Sequence, residues 1–453
     1  MSSEQLLAWV GLALVVAGLL VLRHRRPVWF WYAVGAPAKL ARILVTYHPV
    51  MEACGLTEPP SRLRMALAAT TNRTAPRRVP RLTRLRFTAS GLVLRIRMEP
   101  GQEVRDFETA TERLRHSWRA YAVHVAALTP GWLQIKVVGY DVLRRVVMPK
   151  APSPELLRVP VALRSDGSVH FRDFRTVPHE LVMGATLSGK SVYLRGLVTG
   201  LAPQPVALVG IDCKWGVELA PFAPRLSALA CAPEEAADLL DVLVEEMTQR
   251  YELIRGVQGL GSVPAESITS DIWGLPDELR PVPIVVVVDE VAELFLTASS
   301  ADEKRRDQMV TQLIRIAQLG RAAGIYLEVC GQRFGAELGK GATALRAQLT
   351  GRISHRVNDE TTAKMALGDI SPSAVLAATA IAPEQRGVAV AGDSSGGWSL
   401  VRSPFTELAD AVATCAEHAH LTPDVPGLTA FRPIPAATGL ALVAADISAD
   451  HKD

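Results

Sequence analysis

The chain opens on an unbroken apolar run of 17 positions, residues 6–22, "LLAWVGLALVVAGLLVL". That is the short end of the roughly 17–25 residues that carry a helix across a bilayer. Arg23, His24, Arg25 and Arg26 follow at once, whereas only Glu4 precedes. A cleaved secretion signal has the opposite polarity, with charge before the run and small residues after it. Positive charge on the distal side predicts a single pass through the cytoplasmic membrane, N-terminus outside and everything after Arg23 in the cytoplasm. A buried core helix is the alternative. The next stretch, "PVWFWYAVGAPAKLARILVTY", starts aromatic and carries Lys39 and Arg42. It has the pattern of a segment lying in the membrane interface, with a second span as the alternative. Residues 1–50 are thus an anchor.

Residues 51–80 form a basic linker that leads into "TTNRTAPRRVPR". Beyond it, "LRFTASGLVLRIRM" alternates apolar and polar positions around Ala89-Ser90-Gly91, the mark of a hairpin. "GQEVRDFETATERLRHSW" has helical spacing, and two β-branched runs, "AYAVHVAALT" and "WLQIKVVGY", are joined through Pro130-Gly131. The order hairpin, helix, strand, strand predicts a small α+β domain over 81–152.

From 153 to 403 the pattern changes to short apolar strands alternating with helices. "HELVM" (179–183) is followed by the helical "SVYLRGLVTGLA", and "VALVGIDCKWGVEL" (206–219) holds a second strand that ends at Asp212 and Lys214. "PIVVVV" (283–288) is wholly apolar, as a central strand covered on both faces must be. The helix "VTQLIRIAQLGRAAG" (310–324) and the strand "IYLEVCGQRF" (325–334) continue the alternation. This predicts an α/β fold, a doubly wound parallel sheet with right-handed crossovers. Residues 404–453 add one helix, "FTELADAVATCAEHAH", and a Pro/Ala-rich tail.

Charge changes this picture in one place. The whole chain of 453 residues carries only +3, yet residues 23–150 hold 23 Lys/Arg against 8 Asp/Glu. From Arg62 to Arg97 there are ten arginines and no acid. Such a face is either simply solvated or meets a polyanion, nucleic acid or lipid headgroups. With 49% hydrophobic and 21% charged residues, a disordered chain is excluded. The five cysteines (54, 213, 231, 330, 415) form no C-x-x-C pair, which argues for a reducing compartment and against structural zinc. His179-Glu180 lacks the second histidine of a helical zinc-protease motif.

The chemistry lies at the strand ends. Gly184-Ala185-Thr186-Leu187-Ser188-Gly189-Lys190-Ser191 sits between a strand and a helix, as a phosphate-binding P-loop requires. Glycines let successive N–H groups turn toward one anion, and the helix N-terminus adds a favourable dipole. Lys190 would reach the β- and γ-phosphates of ATP, and Ser191 would hold Mg2+. About a hundred residues on, the apolar strand ends in Asp289, for the Mg2+ shell, and Glu290, placed to orient or deprotonate the attacking water. Gln332, at the end of its own strand, is a candidate sensor of the γ-phosphate or that water.

The succession "VPVALRSDGSVHFRDFRTVPHELVMGATLSGKS", "IDCKWGVEL", "VVVVDEVAEL", "GRAAGIYLEVCGQRF" and "GRISHRVNDETTAKMALG" resembles the RecA-like motor domain of the FtsK/SpoIIIE family of DNA translocases. The upstream "EPGQEVRDFETATERLRHSWRAYAVHVAALTPGWLQIKV" resembles the small αβ domain that precedes that motor. The match covers roughly 85–400, and the short anchor is more similar to members that move plasmid DNA in conjugation. The resemblance implies an ATPase that assembles as a homohexamer around double-stranded DNA, with the roles above for Lys190, Ser191, Asp289, Glu290 and Gln332. It also implies an arginine finger given to a neighbouring subunit, for which both Arg352 and Arg321 match family arginines. The P-loop departs from the family's Gly-Thr-Thr-Gly-Ser-Gly-Lys-Ser at Ala185 and Leu187. After Pro404 about fifty residues follow, from which a complete winged helix, the family's DNA-reading module, is not expected. A protein-export ATPase built on the same motor is the alternative function, although such chains usually carry several motors in tandem and one P-loop occurs here. "GDSSGG" (392–397) resembles a serine-protease loop, but its flanks predict a hairpin turn.

Overall fold

Period-two alternation in residues 81–138 produces four antiparallel strands: β1 (Arg81–Phe87), β2 (Gly91–Arg97), β3 (Ala122–Thr129) and β4 (Trp132–Val138), in the order β1-β2-β4-β3. The structure, a computed structural model, describes residues 3–60, 65, 75–149, 155–258, 268–368, 370–392 and 396–433. Much of the expected linker and most of the Pro/Ala-rich tail therefore lie outside the described residues. The chain divides into two units, Met1–Arg145 with Ser165–Ser168, and Val146–Arg164 with Val169–Asp453.

In the first unit one face of the small sheet is buried along its length, whereas the other is exposed at Arg81, Arg84, Arg86, Arg95 and Arg97 and buried at Val93 and Val138. Leu92, Leu94 and Ile96 of β2 and Leu133, Ile135 and Val137 of β4 pack against helices. Those helices are α2 (Ala36–Ala53), α3 (Val104–Thr109) and α4 (Thr111–Ser117), and α1 (Ser3–Arg25) precedes them, joined to α2 by the helical turns Pro27–Phe30 and Trp31–Gly35. The single helix expected after β2 is thus two short ones that meet at Ala110. The segment read as interfacial is helical, and it buries Trp31, Ile43 and Tyr47 in this same core, to which Val50 and Met51 just beyond it also belong. Trp31 Nε1 donates to the Thr88 carbonyl at 3.0 Å, and Tyr47 Oη donates to that of Pro80 at 2.9 Å. The core of this unit accordingly draws on residues well before 81. Along α1, Trp9, Leu12, Leu14, Val15 and Leu20 are exposed. Among the described residues no helix is long and apolar enough to cross a membrane. Residues 6–8 of the expected span have side chains outside that description.

The second unit is built on a ten-stranded sheet. Its strands are β5 (Arg158–Arg164), β6 (Val169–Asp173), β7 (His179–Met183), β8 (Ala207–Ile211), β9 (Leu226–Ala230), β10 (Ile284–Val288), β11 (Ile325–Gly331), β12 (Gly351–His355), β13 (Val388–Gly392) and β14 (Trp398–Arg402). They run in the order β6-β5-β14-β13-β12-β7-β11-β10-β8-β9. The six strands from β12 to β9 are parallel, whereas β13, β14, β5 and β6 add antiparallel beside β12. The sheet is therefore mixed, which corrects the expectation of a wholly parallel one. The reason is that β5–β6 and β13–β14 are hairpins, and a hairpin can only place its strands antiparallel. The GDSSGG stretch joins β13 to β14, with Gly392 opposite Trp398, while residues 393–395 lie outside the described residues.

Every residue of β10 is buried, and its alternate side chains feed two cores. Val286 and Val288 join Leu181 and Met183 on one side, against α6 (Pro233–Gln258) and α7 (Ser300–Ala323), whereas Val285 and Val287 join Val182 on the other, against α5 (Lys190–Leu201). Helix α7 begins ten residues before the sequence pattern shows it. That first part, "SADEKRRDQM", has no apolar stripe, and the helix starts there because the Ser299 hydroxyl caps it by accepting from Asp302 N. Shorter helices α8 (Ala342–Gln348), α9 (Glu360–Leu367), α10 (Pro372–Thr379) and α11 (Leu408–Glu417) complete the unit.

Candidate nucleotide site

Four parallel strands end side by side at one edge of the sheet, which is where ligands sit in α/β folds. β7 runs into the P-loop, β8 into Asp212, β10 into Asp289-Glu290 and β11 into Gln332. The loop over Gly184–Gly189 is pinned from several directions. Gly184 N donates to the Gly331 carbonyl at 3.2 Å, Ala185 N to Arg356 at 2.9 Å, and the Ser188 carbonyl accepts from Gly387 N at 2.8 Å. Gly189 has φ of +114°, and a Cβ there would stand 2.6 Å from Gly387 Cα, so the residue entering α5 must be glycine. Leu187 also takes a left-handed conformation, φ 61°, with its side chain 71% exposed.

Lys190, the first residue of α5, points at the acids that follow β10. Its Nζ donates to the Asp289 carbonyl at 2.8 Å and lies 3.5 Å from Glu290 Oε2 and 3.8 Å from Asp289 Oδ1. Glu290 is buried, and its Oε1 accepts from Gln332 N at 3.1 Å. It is thus the backbone of Gln332 that touches Glu290, while the Gln332 side chain is exposed and lines a cavity of about 330 Å³ with Ala185, Lys214, Glu290 and Asn358. Burial raises the Asp289 carboxyl above its usual range, against the opposing pull of Lys190 and Lys214.

Two further side chains enter the site. Lys214 Nζ approaches Glu290 Oε2 at 3.2 Å and Asp289 Oδ2 at 3.9 Å. Glu218 Oε1 accepts from Ser191 Oγ at 3.0 Å. Both stand on the loop after β8, which the fully buried Asp212 holds by accepting from the backbone N–H of Lys214, Glu218 and Leu219. Sequence reasoning marked Asp212 and Lys214 only as a strand end and passed over Glu218. The available signal was a charged pair at the C-terminal end of an apolar strand.

The residues present fit Mg2+. Asp289 Oδ1 is buried without a hydrogen-bond partner, and with the Ser191 hydroxyl it offers the hard oxygen chemistry this ion takes. Among the described residues no group of three or more His, Cys, Asp and Glu is placed to hold a metal by itself. That also suits Mg2+, which is usually bound by one or two protein ligands together with substrate phosphates.

The two finger candidates stand apart. Arg352 lies within β12, opposite Leu181 of β7, 4% exposed, and its Nη2 donates to the Arg346 carbonyl at 2.8 Å. Arg321 is exposed in the last turn of α7. Below the P-loop helix a buried ionic cluster ties the sheet together. Arg172 Nε donates to Glu328 Oε2 at 2.8 Å and lies 3.4 Å from Glu180 Oε1, and Tyr193 Oη is 2.9 Å from a carboxylate oxygen of each.

Comparison with known proteins places this geometry. Residues 17–139 match the actinomycete conjugal transfer protein N-terminal domain, and residues 142–336 match the FtsK/SpoIIIE family. The chain is 60% identical over 394 residues to the transfer protein TraSA of Streptomyces ambofaciens, across 86% of this chain and 95% of that one. It is 34% identical over 228 residues to the DNA translocase FtsK of Sporosarcina ureae, across 48% of this chain but only 28% of the relative. Among solved structures, the pCW3 conjugation coupling protein TcpA in its monomer form with ATPgS shares the fold, with a TM-score of 0.50 and 20% identity over 76% of this chain and 94% of that one.

Proposed function

The chain belongs to the FtsK/SpoIIIE family, in the group of actinomycete conjugal transfer proteins, and from that premise we propose that it hydrolyses ATP to translocate double-stranded DNA in conjugative transfer. The observation that carries this reading is the joining of Lys190 to Asp289 and Glu290 at 2.8–3.8 Å, in a chain alike along 95% of a transfer protein. Lys190 and the N–H groups of the P-loop bind the phosphates. Glu290, held by Gln332 N and Lys214, accepts the proton of the attacking water. Ser191 and Asp289 would hold Mg2+, which when bound supplies charge neutralisation at the phosphates. The Gln332 side chain, exposed in the lining of the cavity, senses the γ-phosphate end.

Several parts of the proposal rest on pattern. The exposed apolar surface of α1 followed by Arg23, Arg25 and Arg26 supports a single membrane pass with the motor on the cytoplasmic side. A homohexameric ring is the assembly in which an exposed arginine such as Arg321 reaches a neighbour's site.

The test is steady-state ATP hydrolysis by the full chain in detergent, alone and with long duplex DNA, single-stranded DNA or unfolded protein, beside Lys190→Ala. Stimulation by duplex that is lost in the variant supports the motor. Hydrolysis that responds to polypeptide and not to DNA overturns it in favour of an export ATPase.

A further inference from the structure

The exposed part of the second face of the small sheet is a row of arginines, beside Val93 and Val138, which are buried. Opposite residues of an antiparallel pair share a face, and the register places Arg81 across from Arg97 and Arg84 across from Arg95, with Arg86 across from Val93. All five arginines are exposed. They stand on the face away from Leu92, Leu94 and Ile96, which are buried in the core. Trp132, across from Arg97 on β4, lies under two of them, with the Arg95 guanidinium 4.8 Å and that of Arg97 6.0 Å from its ring.

Among the described residues a single carboxylate approaches any of the five. Glu99 approaches Arg81 at 3.9 Å, and among the described residues Arg84, Arg86, Arg95 and Arg97 have no carboxylate partner. Like charges placed directly opposite on a sheet destabilise it, so folding alone does not call for two such pairs. Protection of an edge strand from aggregation accounts for the arginines of β1. It does not account for Arg95 and Arg97, which stand on the inner strand β2.

We propose that this arginine face, Arg81, Arg84, Arg86, Arg95 and Arg97 with Trp132, binds the phosphate backbone of double-stranded DNA. Neighbouring strands are about 4.8 Å apart and alternate residues about 6.7 Å, so the guanidinium groups form a fixed lattice of positive charge. A guanidinium grips a phosphodiester through two N–H groups, and stacking on Trp132 holds two of the forks in place before any ligand arrives. Charges fixed on a rigid sheet suit a regular polyanion better than a fluid lipid surface. The contact carries no sequence information, which is what a motor that must pass any sequence requires. The inference rests on duplex DNA being the substrate and adds a holding surface outside the ATPase unit.

The test uses the full chain in detergent, without nucleotide, and a fluorescent 30-base-pair duplex titrated at several salt concentrations. Each phosphate contact adds about 0.9 to the slope of log K against log salt. Arg84→Ala, Arg95→Ala and Arg97→Ala combined are expected to make that slope shallower by about 2.7, whereas the matching triple change to lysine keeps most of it. An unchanged slope overturns the proposal, as does a lysine variant that behaves like the alanine one, since that would be damage to the fold. Sedimentation with vesicles of phosphatidylcholine and phosphatidylglycerol runs in parallel, and a loss confined to vesicles overturns it in favour of a membrane contact. Failure of the translocase reading is distinguishable, because then the unaltered protein shows no duplex-stimulated hydrolysis.

Discussion

Lys214 Nζ lies 3.2 Å from Glu290 Oε2, the same oxygen that Lys190 approaches at 3.5 Å. Two cations share one carboxylate, and only one of them belongs to the phosphate loop. When a triphosphate draws Lys190 away, Lys214 is left to hold Glu290, on a loop that Asp212 fixes through three N–H groups. Lys214→Ala is therefore predicted to lower kcat by tenfold or more, from loss of a charged hydrogen bond worth about 1.5–3 kcal/mol, while nucleotide affinity changes little. Lys214→Arg should recover part of the rate. Equal losses in kcat and in binding of a fluorescent ATP analogue would sink this positioning role.

Deleting residues 1–25 and deleting residues 1–50 should have opposite consequences. The longer cut removes Trp31, Ile43, Tyr47 and Val50 from the core of the first unit, and each large core side chain contributes about 2–5 kcal/mol. That sum exceeds the stability of an ordinary domain, roughly 5–15 kcal/mol. The shorter cut should keep a cooperative melt of that unit, and the longer one should abolish it and expose 75–149 to protease. Matching melts would show that α2 is dispensable.

Leu187 stands in the P-loop where the family has glycine, and its φ of 61° is a conformation that costs an L-residue about 1–2 kcal/mol. Because glycine is also freer in the unfolded chain, Leu187→Gly should stabilise by about 0.5–1 kcal/mol net. Chemical denaturation of the nucleotide-free protein decides, and a loss of stability would mean that the exposed leucine has a packing role.

How much of this was legible in sequence follows from what each signal encodes. The P-loop and Asp289-Glu290 could be read because strand–loop–helix context and an apolar strand ending in acids are local patterns. The antiparallel side of the sheet was not read, since it depends on β12 pairing with β13 and on β14 pairing with β5, residues far apart in the chain. The start of α7 escaped because a solvated helix has no apolar stripe, only a serine cap. Glu218 and Lys214 acquire meaning from Asp212, seven residues or fewer away in sequence but gathered around one carboxylate by a loop that periodicity does not describe. The arginine face is an intermediate case: the density of arginine was plain, whereas only register shows that five of them share one side.

The buried cluster beneath α5 makes stability depend on pH. Two carboxylates, Glu180 and Glu328, meet one guanidinium, Arg172, and burial above all raises the Glu328 pKa to about 8. A carboxyl whose folded pKa is raised contributes stability that is complete below its unfolded value, about 4.5, and is lost as pH rises through about 8. The stability of the native protein relative to Glu328→Gln should therefore fall across this window, measured by urea unfolding from pH 5 to 9. A constant difference would show that Glu328 is ionised throughout. Arg172→Met should cost about 3–5 kcal/mol, since it leaves buried charge without a partner.

In the ring proposed above, one subunit gives an arginine to its neighbour's site. A finger must leave its own subunit, and Arg352 is buried with its guanidinium bonded to the Arg346 carbonyl, whereas Arg321 is exposed at the end of α7. Arg321→Ala is expected to remove most of the DNA-stimulated hydrolysis, on the order of the 10³-fold that such fingers supply, and to leave the melting temperature unchanged. Arg352→Ala should instead lower the melting temperature, because it opens a hole in β12 and orphans a carbonyl. Mixing separates a finger acting in trans from one acting within its own subunit. Lys190→Ala subunits have a dead site and an intact finger, and Arg321→Ala subunits the reverse, so co-assembled rings should regain hydrolysis that neither shows alone. Activity of the mixture no greater than the sum of its parts would assign Arg321 to its own subunit and send the search for the finger to other exposed arginines of the motor unit.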